Sequence, residues 1–178
     1  YEQAWKVNLG ERLITSDQIF ELENLPQSLV VIGSGVIAIE LAQAMQRLGV
    51  ETTIFARSRK VGSLSSPELQ TSAQNTLSQE LNIKFETLPT QLQKTEQGVK
   101  IEYQEDGQTQ SLTADYVLVA TGRRSYLDQL QLENIDTSFN NIKQLPIDAH
   151  TKQLGRHAIF IVGDAHTNTP IQHEAAHE

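Results

Sequence analysis

No cysteine occurs in the 178 residues, which excludes a disulfide, a thiolate metal site and a thiol nucleophile within them. Aromatic residues make up 6%, with one Trp and one Met, and apolar residues reach only 38%. No run approaches the roughly 18 continuous apolar residues of a membrane span, and the start carries no signal-peptide pattern. A cytoplasmic location without membrane contact is therefore expected. Basic residues are the minority: 14 Lys and Arg stand against 22 Asp and Glu, a net charge of -8. That balance argues against nucleic acid as a partner, because a nucleic-acid site needs a basic face. Met is missing at residue 1, and the chain stops inside a helix-like stretch. Both features lead to the expectation that this is a piece of a longer protein.

The apolar residues that are present are concentrated. Leu29-Val30-Val31-Ile32 leads into Gly33-Ser34-Gly35-Val36-Ile37-Ala38, and a helical pattern follows. Thr52-Thr53-Ile54-Phe55-Ala56 then reads as a second strand. Strand, glycine turn, helix and strand within about 30 residues make a βαβ unit built for a dinucleotide. Gly33 makes the tight turn, Gly35 lets the backbone approach a pyrophosphate, and Ala38 lets the helix pack close to the strand. The free N–H groups at the helix start face the phosphates. Gly33, Ser34, Gly35, Val36, Ile37 and Ala38 are thus the expected pyrophosphate site.

Around this unit the pattern predicts further elements. Residues 1–25 show no clear period and form a lead-in, with Thr15-Ser16-Asp17 capping a short helix through Leu22. The first helix spans Val36 to about Leu48, with an apolar stripe at 37, 41, 44, 45 and 48, and stops at Gly49. Ser65 three residues before Glu68 fits a capping box, and Pro67 suits the first turn of a helix running to about Leu81. Strands are expected near 83–88, 99–104 and 109–113, and Asp106-Gly107 signals a hairpin between the last two. Tyr116-Val117-Leu118-Val119-Ala120 reads as a strand covered on both faces. The class is α/β, a Rossmann-like parallel sheet whose helical crossover is replaced by a three-stranded meander. After residue 120 a connector contains one short helix near 126–132, then a buried strand at 158–162 and a helix from 171. The last third has too few apolar segments for its own core.

Three motifs in order, Gly33-x-Gly35-x-x-Ala38-x-Glu40, Ala120-Thr121-Gly122-Arg123 and Ile161-Val162-Gly163-Asp164, resemble the flavin-dependent pyridine nucleotide–disulfide oxidoreductases. Dihydrolipoamide dehydrogenase, glutathione reductase and mercuric reductase are members of that family. The resemblance runs from about Leu13 to Glu178. It implies an NAD(P)-binding domain over 26–120 and, over 121–178, a connector and part of an FAD-binding domain. In the family the redox cysteine pair, the first flavin fingerprint and a C-terminal catalytic His–Glu pair lie in other segments. Those segments complete the FAD domain and a dimerisation domain, so the implied partners are the rest of the parent chain and a second copy.

The resemblance also implies roles. Glu40 is the implied catalytic residue, its carboxylate approaching the nicotinamide carboxamide. Thr121, Gly122 and Arg123 touch the flavin nucleotide, and Gly163 and Asp164 lie at its ribityl and phosphate region. Ala56 stands where a carboxylate would accept the ribose hydroxyls of NAD, and Arg57-Ser58-Arg59-Lys60 follows. A guanidinium holds a phosphate bidentately. Arg57 resembles the phosphate-binding Arg of the glutathione reductase branch, with Arg59 or Lys60 assisting, which favours NADP over NAD. His173-Glu174-x-x-His177 spells a zinc motif, but no third ligand is evident, His166 notwithstanding, and no metal is expected. Two other readings stay open: a stand-alone nucleotide-binding or regulatory module, and a relative of the ferredoxin- and rubredoxin-type reductases.

Overall fold

The computed structural model describes residues 3–122 and 126–165. Five strands form a parallel sheet: β1 (Leu13–Ile14), β2 (Ser28–Ile32), β3 (Glu51–Ala56), β4 (Asn82–Phe85) and β8 (Tyr116–Val119), in the order β1-β8-β2-β3-β4. An antiparallel sheet is built from β5 (Pro89–Thr95), β6 (Gly98–Glu105) and β7 (Gln108–Ala114). Helices α1 (Gln3–Leu9), α2 (Val36–Arg47) and α3 (Pro67–Leu77) complete the first of two compact units, which ends at Gly122.

Successive side chains of a strand point to opposite faces, and the parallel strands here are apolar on both. Val30, Ile32, Phe55, Val117 and Val119 pack against Leu92, Val99, Ile101 and Tyr103 of the meander and Leu9 of α1. Their alternates Leu29, Val31, Ile54 and Leu118 pack against Ala38, Ala42 and Met45 of α2. The rings of Phe55 and Tyr103 meet edge to face at 5.0 Å, joining the two sheets. Lys84 adds a polar tie between them, an ion pair with Glu105 at 2.7 Å.

Several expectations change. Residues 1–25 are not a mere lead-in: α1 and β1 lie among them, and β1 pairs with β8 as the sheet's edge. Trp5 and Leu9, one helical turn apart, are the anchors of α1, too few to show as a period. The helix expected after Asp17 is a single 3-10 turn, Gln18–Glu21, without a side-chain cap. The buried face of α2 is Ala38, Ala42 and Met45, and Leu48 is exposed. Small residues won that face because they bring the helix axis close to the sheet. Ser66, rather than Ser65, is the N-cap of α3, and Pro67 opens the helix. It ends at Leu77, where the chain turns to bury Leu81. The strand expected over 83–88 breaks at Glu86, whose φ of 55° no strand accommodates. Its first part is β4 of the parallel sheet, and the meander starts at Pro89. The turn at Asp106 and Gly107, φ 52° and 75°, is the expected tight hairpin.

The second unit, described over 126–165, is made of 3-10 turns and two isolated bridges, Ile147 with Leu154 and Gln153 with Phe160. Where one helix was expected near 126–132, two turns occur, Tyr126–Gln129 and Leu132–Asn134. Residues 158–162 form no strand: among the described residues their pairing is confined to the isolated Gln153–Phe160 bridge and its flanking backbone hydrogen bonds to residues 152 and 154, and Ile161 is buried while Phe160 and Val162 are exposed. Scattered single residues do give this unit a small core, Leu127, Leu132, Phe139, Leu154 and Ile161. Asp148 accepts from the N–H groups of Thr151 (2.7 Å) and His150 (3.0 Å), and Asp136 accepts from the N–H of Ser138 at 2.9 Å. The helix expected from 171 lies outside the described residues.

Two outcomes are expected from this packing. Phe55→Ala, which removes a fully buried ring shared by both sheets, lowers stability by about 3–5 kcal/mol in urea denaturation. The backbone hydrogen bonds, of Thr151 to Asp148 and of Ser138 to Asp136, hold both carboxyls below the ordinary aspartate value. Their stabilising contribution is therefore complete above the ordinary aspartate pKa and is lost as pH falls through the depressed values. Carboxyl-carbon NMR titration should show both groups titrating below the ordinary aspartate value.

Candidate functional site

At the end of β2 the chain turns sharply through Gly33, φ 127°. The Gly33 N–H donates to the Phe55 carbonyl at 2.9 Å, and the Ala120 N–H donates to the Ile32 carbonyl at 2.9 Å. A Cβ placed on Gly33 would sit 2.3 Å from the Ala120 carbonyl oxygen. The glycine turn and the Ala120-Thr121-Gly122 segment are thereby pressed together. Gly35 is the N-cap of α2, extended at φ -70° and ψ 176°, with no side chain to bond the helix. An added Cβ there would meet nothing within 4 Å, so the space beside it is open. The first turn of a helix leaves its N–H groups without intrahelical partners, here those of Val36, Ile37 and Ala38. With the helix dipole behind them they form an anion-binding end. Ala38, fully buried, holds that end on the sheet.

The loop after β3 folds back over this turn. Ser34 Oγ donates to the Lys60 carbonyl at 2.6 Å, and the Gly62 N–H donates to the Ser34 carbonyl at 2.8 Å. Ala56 is buried at the strand's end, and Arg57, Ser58, Arg59 and Lys60 are all exposed. Arg59 stacks its guanidinium 5.2 Å from the centre of the Phe85 ring. Arg57 makes no side-chain hydrogen bond or ion pair among the described residues. A chain of net charge -8 thus carries a cationic rim beside its one glycine-rich turn.

Glu40 lies one turn beyond Val36 on an exposed face of α2. Both border an open groove of about 480 Å³ between α2 and α3, with Leu64, Ala73 and Leu77 opposite. Its carboxylate has no hydrogen-bond partner among the described residues.

A profile of the pyridine nucleotide-disulphide oxidoreductases matches residues 4–178. The chain belongs to that family. A dihydrolipoyl dehydrogenase of Staphylococcus aureus is 31% identical over 170 residues, 95% of this chain and 36% of the relative. A mercuric reductase of the same species is 31% identical over 166 residues, covering 93% of this chain and 30% of its own length. The crystal structure of LpdA from Mycobacterium tuberculosis superposes with a TM-score of 0.76 at 24% identity, over 94% of this chain and 36% of that one. The flavoprotein disulfide reductase RclA of Escherichia coli gives 0.72 at 17%, over 94% and 37%. At those identities the two structures speak for the fold alone. The chain spans about a third of the length of the curated relatives it matches.

Within this family member the structure brings together Gly33, Ser34, Gly35 and Thr121, with the Arg59–Lys60 stretch held against Ser34. Gly122, φ 113°, follows in the same segment. Gly163 and Asp164 form a 3-10 turn in the second unit. Arg123, His166, His173 and His177 lie outside the described residues. No group of three or more His, Asp or Glu that could hold a metal ion occurs among the described residues. Sequence reasoning missed Ser34 as a tie to the loop, and Gln70 and Gln74 of α3 altogether. Gln70 does fall in helical register with Ala73 and Leu77, the single sequence sign that it faces inward.

The two glycines should separate cleanly in chemical denaturation. Gly33→Ala drives a Cβ into the Ala120 carbonyl at an unfavourable φ and costs about 3 kcal/mol. Gly35→Ala faces open space and stays within about 1 kcal/mol of the unaltered chain.

Proposed function

We propose that this chain is the nicotinamide-dinucleotide-binding part of an FAD-dependent oxidoreductase of dihydrolipoamide dehydrogenase type, with NADP favoured over NAD. The observation that carries the reading is the uncapped start of α2, with open space at Gly35 and, on the following loop, an Arg57 that has no side-chain partner among the described residues. The residues fit the group: a pyrophosphate needs amide donors and room for backbone approach, and both are present. Gly33, Ser34, Gly35, Val36, Ile37 and Ala38 hold the diphosphate. Arg57 takes the adenosine phosphate through its planar guanidinium, assisted by Arg59 or Lys60. No carboxylate stands at Ala56 to repel that phosphate.

When bound, the reduced dinucleotide supplies a hydride to the flavin of the complete protein. Glu40 orients the nicotinamide through its carboxamide and is the catalytic residue of this segment. Thr121, Gly122, Arg123, Gly163 and Asp164 serve the flavin side. The partners are the remaining FAD and dimerisation domains of a homodimeric, cytoplasmic parent. The family match and the relatives at about 30% identity support this reading at its coarser level.

Calorimetric titration of the chain with NADPH and NADH tests it. NADPH should bind more tightly, and Arg57→Ala should weaken NADPH roughly tenfold or more while leaving NADH within about twofold. A clear preference for NADH would remove the phosphate role of Arg57. Binding of neither nucleotide would overturn the dinucleotide site in this chain.

A further inference from the structure

We propose that Gln70 is a positioning residue that sets nucleotide choice by holding the loop that carries Arg57, Arg59 and Lys60. The proposal rests on the dinucleotide reading above and extends it to α3, where the side-chain hydrogen bonds of Gln70 go to Val61 and Leu64 rather than to an expected phosphate position.

Gln70 is the one buried residue of α3, 9% exposed, and it is polar. Its side-chain oxygen accepts the Val61 N–H at 2.9 Å. Its amide nitrogen donates to the Val61 carbonyl at 3.0 Å and the Leu64 carbonyl at 2.8 Å. One turn on, Gln74 donates to the Arg59 carbonyl. From the other side, Ser34 Oγ donates to the Lys60 carbonyl. The carbonyls of Arg59, Lys60, Val61 and Leu64 are therefore all taken by side-chain donors.

A loop of this kind lacks a ladder to satisfy its backbone, and buried unpaired groups are costly. The three side chains do what a neighbouring strand would do. They turn the carbonyls of residues 59–61 toward α3 and the glycine turn, and the cationic side chains face solvent. A loop already ordered pays little to meet a ligand, so its cations act at full strength. The ligand chemistry so selected is a phosphate monoester on the adenosine ribose. An apolar residue at position 70 would pack as well against Ala73 and Leu77, yet would release Val61 and Leu64.

The test compares the unaltered chain with Arg57→Ala, Gln70→Leu, Gln70→Glu and Gln74→Ala. Each is titrated with NADPH and NADH, and exchange at the Val61 and Gly62 amides is followed by NMR. Gln70→Glu keeps the size of the side chain but cannot donate. Both Gln70 variants should lose at least tenfold in NADPH affinity, change less than twofold toward NADH, and exchange faster at both amides. Gln74→Ala, at a partly exposed position, should show a smaller loss in the same direction. Proportional weakening of both nucleotides, or an unchanged ratio in folded Gln70→Leu, overturns the positioning role. Should the Gln70 variants not fold, an unchanged ratio in Gln74→Ala does the same. Selectivity lost in Arg57→Ala but kept in Gln70→Leu overturns this inference alone. An unaltered chain that prefers NADH, or binds neither nucleotide, overturns the reading beneath it as well.

Discussion

The close approach of Gly33 to the Ala120 carbonyl is the contact on which the site depends. With no side chain between them, the end of β2 and the end of β8 lie at backbone distance, where any Cβ would intrude at 2.3 Å. That proximity lets the chain pass from β2 into α2 across only three residues, Gly33, Ser34 and Gly35, so that the helix starts directly above the sheet. The helix start then stands at the carboxyl end of the parallel strands, the place where open α/β sheets bind ligands. A wider turn would carry the free amides of α2 away from that edge.

The sheet beneath supplies rigidity from both faces. Period-two alternation sends Val30 and Ile32 to the meander and Leu29 and Val31 to α2, so no strand of the centre has a solvated side. The two packings differ in kind. Small residues, Ala38 and Ala42, bring the helix close. On the other face large side chains, Phe55 and Tyr103 among them, fill the space between two sheets. The meander thus does the covering that a helix does elsewhere in α/β folds, and the glycine turn rests on a core that cannot shift layer by layer.

Electrostatics is local here. An acidic chain presents cations where β3 ends, and the backbone of that loop is tied down by Ser34, Gln70 and Gln74. Exposed charges contribute little to stability. Their value lies in being held in place before a ligand arrives. The Arg59 guanidinium is stacked on Phe85, whereas Arg57 has no side-chain partner among the described residues, one restrained and one left to reach.

Much of this was legible in the residues themselves. The runs 29–32, 51–56 and 116–119, the glycine turn and the Asp106-Gly107 hairpin are local signals, because β-branched runs and positive φ constrain the chain wherever it sits. The sequence by itself determined the α/β class, the βαβ unit and its family. Tertiary structure alone decided the buried face of α2, the place of residues 13–14 in the sheet, the break at Glu86 and the backbone partners of Gln70. The physical reason is common to all four: each depends on what lies across the layer from the residue, and neither propensity nor periodicity records the opposing surface.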